Sequence, residues 1–148
     1  MKQSSLAHWL ISGLLVFCPL MARAQTSAQP LGSAQHLSDT PVDLAQRQLN
    51  AYNARNLDAF LEPYADEVEI YDLPDKLISK GKDAMRKRYG TMFANTPGLH
   101  CELVNRMVVG NTVVDHERVT FGTDREPVQA IAIYKIENGK IRTVYFTR

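Results

Sequence analysis

Residues 127–147 read PVQAIAIYKIENGKIRTVYFT, and this stretch decides the fold. Two alternating segments, Pro127–Ile136 and Lys140–Thr147, flank Asn138-Gly139. An Asn-Gly pair tolerates the positive backbone angles of a two-residue hairpin turn, so the segments are predicted to be antiparallel neighbours. The same period of two runs backwards through Thr112–Phe121 and Leu99–Val109, broken only at Gly110-Asn111 and Gly122-Thr123-Asp124. Four consecutive strands separated by turn signals make a meander.

Ahead of Leu99 the period becomes 3.6. Ala84, Met85, Tyr89, Met92 and Phe93 share one face of a helix introduced by Gly81 and closed by Thr96-Pro97-Gly98. Val68-Glu69-Ile70-Tyr71 alternates like a short strand. Before it, Asn56 can cap a helix in which Leu57, Phe60, Leu61 and Tyr64 follow the i, i+3, i+4, i+7 pattern, with Pro63 near its end. The first helix starts at Thr40-Pro41-Val42-Asp43: Thr40 can cap, Pro41 suits the first helical position, and Asp43 favours the first turn. Helices followed by an antiparallel meander predict an α+β domain, with about three N-terminal helices on one face of a single sheet.

Residues 1–24 carry a different signal. A weakly basic start with Lys2 and His8 precedes an apolar run from Trp9 to Met21, and Ala22-Arg23-Ala24 has the small-x-small pattern of a signal-peptidase site. The run is shorter than the ~20 residues that span a bilayer. The expectation is a cleaved secretory signal and a periplasmic or secreted product with no membrane attachment after cleavage. Residues 25–40, rich in Gln, Ser, Ala and Thr, read as a flexible linker, leaving 41–148 as the domain. Removing Lys2 and Arg23 from the 17 basic residues leaves 15 against 16 acidic ones. That balance supplies no field for nucleic acid. Cys18 departs with the signal, so Cys101 has no intramolecular partner and is expected as a small buried hydrophobe.

Several ordered strings carry a family resemblance. They are Asn53 to Phe60, Tyr64-Ala65-Asp66, Ile70-Tyr71-Asp72, Gly81-Lys82-Asp83-Ala84, Val113 to Val119, and Ile133 to Ile141. Together they resemble the SnoaL-like branch of the nuclear transport factor 2-like superfamily, relatives of ketosteroid isomerase, over essentially all of residues 42–148. The resemblance implies a cone in which a strongly curved sheet wraps a pocket, helices close the narrow end, and the outer sheet face forms a homodimer. Because that superfamily mixes enzymes with binders, the fold does not fix the function.

Site candidates follow from the same resemblance. Asp72 falls where the isomerases carry their general base, and His116 is its possible acid–base partner or a donor to a ligand carbonyl. Alternation leaves two sets on the Thr112–Phe121 strand, and both mix apolar with charged residues. Alignment with the isomerases turns Val114, His116 and Arg118 inward, together with Ala130, Ala132 and Tyr134 on the next strand and Val144 and Phe146 on the last. Arg118 could then hold an anionic ligand. Val114, Tyr134, Phe146, Tyr52 and Tyr89 complete the expected ligand-binding wall. The isomerases' oxyanion donors fall on Gln48 and Ala132; Ala132 cannot donate, so that steroid chemistry is not expected. The basic run Lys80, Lys82, Arg86, Lys87, Arg88 reads as a solvated helix face.

No metal site is expected, because His36, His100 and His116 lack ligand spacing. Ser79, the domain's sole serine, has no nucleophile-elbow setting, and no Gly-rich phosphate loop exists. The leading expectation is an exported, dimeric domain that binds a small organic ligand in a mostly apolar pocket without a cofactor. Its alternatives are an isomerase, cyclase or lyase that uses Asp72 as general base, and a protein-interaction module with a vestigial cavity.

Overall fold

Thr40 opens the first helix as its chemistry requires. Its hydroxyl accepts from the Asp43 N–H at 3.2 Å, and the Asp43 carboxylate accepts from the Thr40 N–H at 2.9 Å, which closes a capping box. The computed structural model describes residues 39–148, so the expected signal and almost all of the expected linker lie outside the described residues. Helix α1 spans Pro41–Asn53. Helix α2 is a single turn, Leu57–Leu61, capped by the Asn56 side chain, which accepts from the Ala59 N–H at 3.1 Å. Strands β1 (Tyr64–Asp72) and β2 (Lys76–Lys80) precede α3 (Lys82–Asn95). The meander follows as β3 (Leu99–Val109), β4 (Thr112–Phe121), β5 (Val128–Glu137) and β6 (Lys140–Thr147).

Three features differ from the sequence reading. Tyr64 opens β1 instead of ending a helix, because Pro63 stops α2. Strand β2 was not foreseen; Lys76-Leu77-Ile78-Ser79-Lys80 is short, mostly polar and lies on an edge. The sheet order is β2-β1-β6-β5-β4-β3, and β1 lies parallel to β6, so the sheet is mixed, not wholly antiparallel. Hairpin signals identify only neighbours in the chain, and β1 joins the last strand from far away in sequence. The β5–β6 turn is as expected, with positive φ at Asn138 (50°) and Gly139 (70°).

Breaks in register at Ile70/Tyr71, Leu103/Asn105 and Lys135/Ile136 bend the strands. The helices cover the concave face. Asn53 ties the end of α1 to β3: its amide donates to the Cys101 carbonyl at 2.9 Å and accepts from the Cys101 N–H at 2.7 Å. Phe60 forms the centre of an aromatic cluster with Tyr52, Tyr64, Tyr89 and Phe93, its nearest ring centroid being Tyr89 at 4.6 Å. Gly98 is required where the chain enters β3, since a Cβ there would lie 2.8 Å from the Gly122 Cα.

The convex face carries one continuous apolar row. Met107, Val114, Ile133, Tyr145, Tyr71 and Leu77 stand opposite one another in succession across all six strands. Tyr71 and Tyr145 stack at 5.4 Å, and the row's ends, Met107 and Leu77, are 60% and 49% exposed.

On the concave face an ion pair is enclosed. Asp115 is fully buried, and its two oxygens accept from Arg106 Nε and Nη2, both at 2.7 Å; Arg106 Nη1 reaches Gln46 Oε1 of α1 at 3.0 Å. Removing one partner strands a buried charge. Arg106→Met is therefore expected to cost about 3–5 kcal/mol in chemical denaturation, and the Arg106→Met/Asp115→Leu pair to recover most of it. A single variant as stable as the wild type would show that the clamp does not hold the strands together.

Candidate functional site

Between the sheet and the helices lies a cavity of about 350 Å³. Gln48, Leu49 and Tyr52 of α1, Phe60 of α2 and Tyr89 and Met92 of α3 form its helical side. Cys101, Glu117, Val119, Ala130, Tyr134 and Phe146 form its sheet side. The volume sits at the lower end of the range for organic ligands. Apolar and aromatic groups dominate, and among the described residues Glu117 is the one acid on the wall.

Register decides which β4 residues face it. Directly opposed residues of antiparallel strands point to the same side. Glu117 opposes Ala130, Asp115 opposes Ala132 and Val113 opposes Tyr134, and all six are buried. The expectation that Val114, His116 and Arg118 face inward is therefore corrected: it was incompatible with the inward placement of Ala130, Ala132 and Tyr134. His116 lies on the convex face, its Nε2 2.8 Å from Gln129 Oε1, and Arg118 pairs there with Glu102. Val114 belongs to the outer apolar row. Asp72 pairs with Phe146 and shares the concave parity of Ile70, but it sits partly exposed at the end of β1 and does not border the cavity. The supposed Asp72–His116 pair is thus split between the two faces. Tyr134, Phe146, Tyr52 and Tyr89 do stand on the wall, Tyr134 at 2% exposure.

Glu117, which sequence reasoning missed, carries the distinctive chemistry. It is 6% exposed and ends a one-way hydrogen-bond chain. Tyr64 donates to Gln48 Oε1 at 3.1 Å, Gln48 Nε2 donates to the Tyr134 oxygen at 2.9 Å, and Tyr134 donates to Glu117 Oε1 at 3.0 Å. The Cys101 thiol lies within hydrogen-bonding reach of the same carboxylate. Burial pushes the Glu117 carboxyl up from 4.5 to about 7. Asp115 adds to the rise, whereas Tyr134, Cys101 and Arg106 oppose it. Cys101 is buried, and that burial, with Glu117 beside it, pushes its thiol well above the usual range, so it is a poor nucleophile. Ala132 offers no donor, and the amide of Gln48 is committed to the chain.

The SnoaL-like domain profile matches residues 45–144. The chain belongs to the SnoaL-like family. A search of curated proteins gives no match. Among solved structures, a cystatin-fold protein from Novosphingobium aromaticivorans superposes with a TM-score of 0.70 at 28% identity, over 74% of this chain and 99% of that one. A proposed ketosteroid isomerase from Kribbella flavida gives 0.61 at 16% identity, over 72% and 76%. A proposed polyketide cyclase from Sinorhizobium meliloti gives 0.60 at 18%, over 70% and 93%. These last two likenesses speak for the fold alone.

An acid with a pKa of about 7 when folded and about 4.5 when unfolded binds its proton more tightly in the folded chain. Its stabilising contribution is fully present below pH 4.5 and is lost as the pH rises through 7. Glu117→Gln stays neutral throughout while keeping an acceptor for Tyr134. Relative to the wild type it is expected to gain on the order of 3 kcal/mol between pH 4 and pH 8 in urea denaturation. A stability difference that stays flat with pH would mean that Glu117 is not a shifted acid.

Proposed function

We propose that this SnoaL-like domain is an exported binder of a small, largely apolar organic molecule, with Glu117 as the polar contact in its cavity. The observation that carries this reading is an acid buried on the wall of an otherwise aromatic hollow. Such a group is costly to keep dry, and a protein selected only for stability would place an aliphatic residue there. At neutral pH Glu117 exists in both protonation states, so it can donate to a ligand carbonyl or accept from a hydroxyl. The secretory signal read at residues 1–24 supports export.

That same acid favours a second reading, a cofactor-free isomerase or lyase in which Glu117, in place of Asp72, moves a proton. A general acid–base group works best with its pKa near the operating pH. The isomerase and cyclase named among the fold's neighbours are consistent with this chemistry. Self-association through the convex face completes the proposal; the outer apolar row supports it, since water contact with so long a row is unfavourable.

Phenylnaphthylamine, a neutral fluorescent probe, separates these readings. Binding is expected in the wild type and at least about tenfold weaker in Ala130→Leu, whose added methylenes fill the space opposite Glu117. Glu117→Gln should retain probe binding. Under the second reading it should also slow solvent-deuterium exchange into a phenylacetone probe by about a hundredfold. No probe binding to the wild type would end the cavity proposal. For self-association, Met107→Asp is expected to convert a dimer to a monomer in sedimentation velocity, and a monomeric wild type would refute the pairing.

A further inference from the structure

Arg88 differs from the other cations around it. Of the basic run expected on a solvated helix face, Lys80 pairs with Glu69 at 2.8 Å, Lys82 with Asp66 at 3.1 Å and Arg86 with Asp58 at 2.6 Å. Neither Lys87 nor Arg88 has such a carboxylate partner among the described residues, and of the two only Arg88 borders the cavity. Arg88 lies on the same stripe of α3 as Met85, Tyr89 and Met92. Arg148, two residues beyond Phe146, borders the cavity too and likewise has no ion-pair partner among the described residues. Both arginines are exposed, which puts them at the mouth.

Burial pushes the Tyr89 phenol up to about 12; Arg88 and Arg148 pull against that rise and Glu117 adds to it. Glu117 stands on the sheet side of the hollow and the two arginines at its exposed mouth, with Tyr52, Phe60 and Tyr89 also on the wall. A carboxylate placed at Glu117 would meet a like charge, whereas one at the mouth would meet two guanidiniums built for bidentate contact.

Resting on the reading of this cavity as a ligand site, we propose that it takes an amphipathic monocarboxylate. The apolar body lies among Tyr52, Phe60 and Tyr89, the carboxylate is held by Arg88 and Arg148, and any hydroxyl or carbonyl at the other end meets Glu117.

Naphthylacetate and its uncharged isostere naphthylacetamide test this by calorimetric titration into the wild type, Arg88→Gln, Arg148→Gln and the double variant. Exposed ion pairs are individually modest, so the wild type is expected to prefer the acid by about tenfold. Each single variant should lose part of that preference and the double variant all of it, with amide affinity unchanged throughout. Equal affinity for acid and amide in the wild type, or a preference that survives in the double variant, overturns the proposal. If neither naphthyl compound binds while phenylnaphthylamine does, the carboxylate proposal falls and the cavity reading stands. If phenylnaphthylamine also fails, both fall.

Discussion

The pairing register of β4 against β5 is the constraint from which the interior chemistry follows. It sends Val113, Asp115 and Glu117 wherever Tyr134, Ala132 and Ala130 go, and those lie under the helices. Two carboxylates two residues apart are thereby drawn out of water. Their surroundings then treat them differently. Arg106 reaches across from β3 and meets both oxygens of Asp115, so that charge is compensated where it lies. Glu117 receives hydrogen bonds and no guanidinium. Burial consequently falls on its ionisation, and the proton is retained to about pH 7. One strand thus supplies a structural anion and a titratable one.

The hydrogen-bond chain that ends at Glu117 joins four elements: β1 through Tyr64, α1 through Gln48, β5 through Tyr134 and β4 through Glu117. Each donor points the same way along it. Phenol and amide groups buried without partners would each cost ~1–3 kcal/mol, so the chain exists only when every member is in place. This makes Tyr134 a positioning residue: its hydroxyl is spent on Glu117 and Gln48, and only its ring is free to meet a ligand. Rigidity follows from the same accounting. Glu117 cannot swing away from the cavity without leaving the Tyr134 hydroxyl proton without its acceptor.

Most of the fold was legible from the chain because hairpin turns and helix caps are local. Asn138-Gly139, Thr40-Pro41 and Asn56 each act within a few residues, and the turn and the two helix starts they mark lie where the sequence reading puts them. The parallel β1–β6 contact is not local, and no turn encodes it. The candidate site failed at one point for a definable reason. Gly110-Asn111 sets Val109 opposite Thr112, and that register holds back to Asn105 opposite His116. A break between Leu103 and Asn105 then shifts the pairing by one, placing Cys101 opposite Val119 instead of Thr120. Without that break a buried Cys101 would argue for His116 and Arg118 inside. Nothing in Leu103-Val104-Asn105 marks it. The β4–β5 connection is also too long for its turn type to fix the register.

A curved sheet lets an acid reach the same cavity from more than one strand. Inward positions on β1, β4, β5 and β6 all converge on one hollow, so a ligand could meet an acid presented from any of them. Which position yields a proton-exchanging group depends on water. Asp72, at the end of β1 beside an exposed turn, is partly exposed and lies off the cavity wall. Glu117, mid-strand beneath α1 with Tyr134 above it, is buried and on that wall. Ala132, opposite Asp115, leaves room beside the Arg106–Asp115 clamp, and Gln48 links Tyr64 to Tyr134, whose hydroxyl holds Glu117. In this chain the polar resources of the cavity are organised around an acid on β4.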